Sequence, residues 1–170
     1  MNLAKGVDPR PVITERRAKS VSNETTFSQD LSDLNALEVE LEALCLKLSA
    51  RLKAKGIAGG TINLKLKRAN HRTITRSRTV SSRIDKAYHL FEIGRDLLKK
   101  EIKDTNFYRL LGIGVNNIGK ASEARLFDLL GGDDDKRNRL ELAVDDLHSK
   151  MGKEVLYTGR QFTKNLRQKK

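Results

Sequence analysis

The sequence predicts an α+β fold: a βαββαβ open four-stranded sheet with two helices on one face, followed by a C-terminal helix and a basic tail. Three observations carry the prediction. Leucines recur at steps of three and four between residues 33 and 55. Apolar and polar residues alternate over 61–67, and a β-branched, basic stretch follows over 72–80. A second helical period over 84–102 leads into an apolar strand at 109–115.

The elements follow in order. Residues 1–18 form an extended lead-in, because two prolines in Asp8-Pro9-Arg10-Pro11 block helix and extend the residues before them. Residues 20–27 are rich in β-branched and hydroxyl side chains and predict a short strand. Leu34, Leu37, Leu41, Leu44, Leu48 and Leu52 then place one apolar stripe on a helix. Ser32 or Asp33 caps its start and Gly56 ends it. Cys45 borders the stripe as a small buried hydrophobe.

Gly59-Gly60 punctuates before the next strand. Ile62, Leu64 and Leu66 face the core, while Thr61, Asn63, Lys65 and Lys67 face away. Asn70 and His71 mark a turn, and residues 72–80 complete a hairpin. Strict alternation puts Ile74, Arg76 and Arg78 on one side of that strand. Either a bulge intervenes or the strand end leaves the core. Ile84, Ala87, Tyr88, Phe91, Leu97 and Leu98 give the second helix its apolar face.

After Gly119 the pattern changes. Residues 123–130 are apolar and acidic, and residues 131–135 form a Gly-Gly-Asp-Asp-Asp loop. Leu140, Val144 and Leu147 mark one side of a third helix over 136–150. Residues 153–170 form a basic, largely disordered tail. The expected division is therefore a linker at 1–18, a folded domain at 19–119, a short apolar segment and loop at 120–135, and a helix with its tail at 136–170.

Charge narrows the function. The chain carries 34 Lys+Arg against 22 Asp+Glu, a net +12. Each phosphate neutralised by such a surface releases condensed counterions, so a polyanion fits as partner, with DNA and RNA not separated by charge alone. Seven cations and no acid lie between Gly60 and Ile84. Thr73, Thr75, Ser77 and Thr79 are interleaved with them. Arginine and lysine beside hydroxyls suit phosphate oxygens rather than base edges. The competing explanation is a merely solvated strand face.

Other classes fall away. A lone cysteine excludes an internal disulfide and a cysteine zinc site, and points to a reducing cytoplasm. No apolar run reaches the roughly 18 residues of a membrane helix, so no membrane partner is expected. His71, His89 and His148 lack metal-ligand spacing. Gly112-Ile113-Gly114 is too short for a phosphate-cradling loop. No catalytic residue, metal ligand or cofactor is expected in this chain.

Several segments, taken together, resemble a known family. They are Gly6-Val7-Asp8-Pro9-Arg10-Pro11-Val12, residues 19–27, Leu64-Lys65-Leu66-Lys67, Thr75-Arg76-Ser77-Arg78-Thr79 and residues 109–115. In this order and spacing they resemble the C-terminal little-finger domain of the Y-family translesion DNA polymerases, over about residues 6–118. The resemblance implies a domain that grips double-stranded DNA primer–template through backbone phosphates and serves damaged-DNA bypass. It carries over Arg76, Ser77, Arg78 and Thr79 as backbone contacts, with Arg109 on the last strand and Lys19, Ser20 and Ser22 near the linker and the DNA. Lys65 and Lys67 join them from the alternation. The family commonly has Asp-Phe where this chain has Asn70-His71, which puts the packing of the turn in doubt.

The family often ends in a sliding-clamp box. Leu126, Phe127, Leu129 and Leu130 are the nearest match, lacking its Gln and final Phe. An ordinary amphipathic helix end fits them as well. The resemblance also implies a thumb before the linker and a palm whose carboxylates hold magnesium. Both are missing from this sequence, so the chain is expected not to polymerise DNA alone. It is then an excised domain, a truncated product or a stand-alone relative, and a separate chain carrying the polymerase core is a candidate partner.

Overall fold

Both helices of the folded domain lie against one side of a single sheet, and the sequence shows why. The structure, a computed structural model, describes Gly6, residues 18–103, 106–122 and 135–152, and Leu156, Gly159 and Phe162. The order is β1 (Ser20–Leu31), α1 (Leu34–Ala54), β2 (Ile57–Arg68), β3 (Thr73–Ile84), α2 (Ala87–Glu101), β4 (Tyr108–Lys120) and α3 (Asp135–Met151). The sheet runs β1-β4-β2-β3, with every neighbouring pair antiparallel.

Helix α1 forms as its leucine spacing demands. Leu37, Leu41, Leu44, Leu48 and Leu52 are buried with Cys45. The Asp33 side chain accepts from the Ala36 N–H at 2.9 Å and caps the first turn. Gly56, at φ +62°, adopts the left-handed turn that ends the helix. Across the sheet, Ile62, Leu64 and Leu66 of β2 stand opposite Val115, Ile113 and Leu111 of β4. These six close the core beneath the helices. At Gly94 of α2, an added Cβ would lie 3.2 Å from Ile113 and 3.3 Å from Leu41, so this glycine lets α2, α1 and β4 meet. The buried Glu38 of α1 accepts from Arg95 of α2 at 2.8 Å and ties the helices together.

Four expectations are corrected in detail. Gly59 and Gly60 lie inside β2 rather than before it. A Cβ on Gly59 would stand 2.3 Å from the Val115 Cβ, so the glycine serves close strand packing, not a turn. Ile84 ends β3, paired with Gly59, instead of starting α2. β1 and β4 are longer than predicted, because cross-strand pairing carries them beyond their apolar cores. In α3, Leu140 stays 65% exposed while Glu141 is turned inward.

That last difference has an electrostatic cause. Lys86 provides no side-chain cap for α2. Glu141 supplies the acceptor instead, taking the Ala87 N–H at 3.0 Å. The same carboxylate accepts from Lys53 at 2.6 Å, and Asp145 lies 2.5 Å from that ammonium. Burial lowers the pKa of Lys53, but the Asp145 and Glu141 carboxylates more than offset it and raise the value above that of an ordinary lysine. The acidic side of α3 therefore faces the domain and its leucines do not.

Two outcomes test this packing. Leu41→Ala should cost about 2–5 kcal/mol in urea denaturation, since the cavity lies where α1, α2 and β4 converge. Burial pushes the Cys45 thiol well up, followed in effect by the nearby Glu42 charge. The thiol should thus resist alkylation at neutral pH and react only on unfolding. Because its folded value lies above the unfolded one (about 8.5), stability should fall as pH rises past that point, read as a declining denaturation midpoint.

Candidate nucleic-acid interface

The sheet face away from α1 and α2 is polar except at Leu110 of β4, which stands between Thr26 and Lys67. Alternation dictates this, since each residue flanking an inward leucine or isoleucine points the other way. The open face carries Ser20, Ser22, Glu24 and Thr26 on β1, and Thr61, Asn63, Lys65 and Lys67 on β2. Thr73, Thr75, Ser77 and Thr79 stand opposite those β2 residues on β3. The Lys65 ammonium reaches Glu24 Oε2 at 2.9 Å across β4, and Thr61 and Thr79 hydroxyls meet at 3.1 Å.

The strand between β1 and β2 is low. On this side β4 presents Gly112 and Gly114, paired with Glu24 and Ser22 on one flank and with Lys65 and Asn63 on the other. A Cβ on Gly114 would stand 2.7 Å from the Ser22 Cβ, and one on Gly112 would stand 3.0 Å from the Glu24 Cβ. The result is a shallow trough of about 320 Å³, floored by backbone and walled by Ser22, Asn63, Lys65 and Thr75. The floor glycines are buried and the Glu24 carboxylate also lines the trough, while the hydroxyls, amide and ammonium of its walls are groups that meet phosphate oxygens.

The predicted site residues do not all gather there. Ser20, Ser22, Lys65, Lys67, Ser77 and Thr79 share the open face, with exposed Lys19 just before β1. Arg76 and Arg78 do not. Their partners across the ladder are the buried Leu64 and Ile62, so they project on the helix side. The β2–β3 register is unbroken from Thr61 to Lys67, so no bulge intervenes there. β3 is the edge strand, and its arginines reach out over α2, Arg76 to Glu101 at 2.6 Å and Arg78 to Asp96 at 3.1 Å. Arg109 falls at the irregularity between Lys67 and Arg68. It lies 3.6 Å from Asp30 and 3.2 Å from His71 Nε2. At the turn, Asn70 Oδ1 accepts from the Arg72 N–H at 3.1 Å, and His71 takes φ +66°. Leu126, Phe127, Leu129 and Leu130 lie outside the described residues, as do most of the lead-in and the basic tail. Glu24 and the two floor glycines were missed from the sequence. A glycine at every second position of an apolar strand was the available signal.

The model of the impB/mucB/samB family C-terminal domain matches residues 18–129, the stretch that builds this sheet and its helices. The chain belongs to the impB/mucB/samB family. Its relatives include DNA polymerase IV 1 of Mesorhizobium japonicum, 42% identical over 160 residues, and DNA polymerase IV of Brucella melitensis, 43% identical over 162 residues. These alignments cover 94% and 95% of this chain but 36% of each relative, so the chain spans about a third of their length. A Dbh–Dpo4 Y-family DNA polymerase chimera superposes with a TM-score of 0.55 at 18% identity, over 69% of this chain and 33% of that one. A post-insertion binary complex of Dbh DNA polymerase gives 0.53 at 15%, over the same shares of the two chains. This impB/mucB/samB C-terminal domain thus shares its fold with Y-family DNA polymerase structures, and its sequence relatives include DNA polymerases IV.

The trough has a direct test. Gly114→Ala should destabilise the domain by about 1–3 kcal/mol, because the new methyl forces β1 away. Adding Ser22→Gly should restore part of the loss. A double-mutant cycle by chemical denaturation reads the coupling.

Proposed function

We propose that this domain holds primer–template duplex DNA by its backbone phosphates, within a translesion polymerase that bypasses damaged DNA. The open face carries the reading. It offers Lys65, Lys67 and a field of hydroxyls beside a shallow trough. Its paired positions over Thr61–Lys67 and Thr73–Thr79 offer no arginine, so base-edge discrimination is not expected there.

Arg76 and Arg78 join this reading at the sheet edge. The Arg78–Asp96 pair is exposed and worth about 0–1 kcal/mol, so a phosphate can take that guanidinium from α2 at small cost, whereas Arg76 is held by the more buried Glu101. Nucleotidyl transfer and its magnesium belong, in this reading, to a polymerase core outside the matched third of the relatives. The sliding clamp is proposed as a further partner through Leu126, Phe127, Leu129 and Leu130. Deleting 126–130 should abolish clamp capture in a pull-down and leave duplex affinity unchanged.

Duplex affinity should fall steeply with salt in fluorescence anisotropy. Lys65→Ala and Lys67→Ala should each weaken binding similarly for unrelated sequences and reduce the salt slope by about one. Arg76→Ala and Arg78→Ala should do the same, whereas Asp96→Asn and Glu101→Gln should strengthen binding by freeing the guanidinium groups. Sequence-selective binding, or indifference to all four cation substitutions, would overturn the proposal.

A further inference from the structure

One end of the sheet carries a feature that duplex gripping does not use. Phe107 is 54% exposed, the one large hydrophobic left exposed among the described residues of 18–122. It is not a loose end. The Ala69 N–H donates to the Phe107 carbonyl at 2.9 Å. Its neighbour Tyr108 is fully buried, with its hydroxyl donating to the Glu101 carbonyl at 3.0 Å. Phe107 immediately precedes β4, and with Tyr108 turned into the core its ring stands in water beside the turn at this end of the sheet. The chain thus holds an aromatic ring in water on a fixed backbone.

The surroundings are cationic. The turn beside Ala69 carries exposed His71 and Arg72. Arg72 is fixed at its backbone by Asn70, and Arg109 meets the His71 ring. Lys67, two residues before Ala69, is the last cation of the open face on β2.

We infer that Phe107, with His71 and Arg72, forms a stacking platform for an unpaired nucleobase where a single strand leaves the duplex. The inference rests on the duplex reading for its location. A base inside a duplex has both faces covered by its neighbours, so a lone exposed ring serves only a base that has left the stack. Aromatic and guanidinium planes supply the stacking, and the cations meet the phosphate that follows. A protein partner fits less well, because Phe107 is the one large hydrophobic exposed among the described residues of 18–122.

The test uses the full chain and three probes in anisotropy: a blunt duplex, the same duplex with a single-stranded thymidine extension on the template, and oligothymidine alone. Unsubstituted protein should prefer the extended duplex. Phe107→Ala should erase that preference, about 5- to 150-fold for one stacked base, and leave blunt-duplex affinity and thermal unfolding unchanged. Phe107→Trp should keep the preference. The chain has no tryptophan of its own, so the new indole is a sole reporter, and its emission should be quenched by the extension but not by the blunt duplex. Equal affinity of Phe107→Ala and unsubstituted protein for extended DNA, or an indole blind to the extension, overturns the inference. If blunt duplex fails to bind while oligothymidine still quenches the indole, the platform stands and the duplex reading falls. If oligothymidine fails as well, both fall.

Discussion

The leucine stripe of α1 and the shorter apolar side of α2 pack on the same side of β4 and β2, and that contact decides the environment of nearly every strand residue. Once Ile62, Leu64 and Leu66 are committed to the dry side, period two commits Thr61, Asn63, Lys65 and Lys67 to the wet one. A slip of one residue in β2 would bury Lys65 and Lys67 beneath the helices and turn its leucines to water. The polar face is thus not added to a finished fold. It is the other half of the core's own register, and the two cannot be changed separately.

Electrostatics then divides the cations into three groups. Lys65 and Lys67 stay with the open face. Arg76 and Arg78 are drawn to the carboxylates of α2, and Lys53 is neutralised by α3. A net charge of +12 therefore overstates what one surface can offer a polyanion. The helix side combines acids with its bases, while Glu24 is the one acid the open face carries among its paired positions. The asymmetry between the faces, rather than the total, favours an anionic partner on the open side.

Much of this was legible in the sequence. The stripe of α1 and the alternation of β2 are strong local patterns, and the structure keeps both. The side chosen by Arg76 and Arg78 was not legible, because alternation left a bulge and an uncovered strand end equally open. The decision comes from Asp96 and Glu101, about twenty residues further along, and from the place of β3 at the sheet edge. Gly112 and Gly114 were visible, but their meaning depends on Ser22 and Glu24 from the first strand. The cap that Glu141 lends to α2 joins residues 54 positions apart, and no local pattern announces it. Long-range pairing is what local periodicity leaves out.

The outer edge of β3 has a consequence of a different kind. No strand among the described residues lies beyond it, so there part of its amides and carbonyls lack ladder partners. Such an edge invites a second molecule to add its own strand and start an aggregate. Arg76 and Arg78 stand along it, half in water, beside the hydroxyls of Thr75, Ser77 and Thr79. A second copy pairing edge to edge would bring guanidinium groups together and strip them of solvent. The arginines thereby act as gatekeepers of solubility, whether or not they ever meet a phosphate.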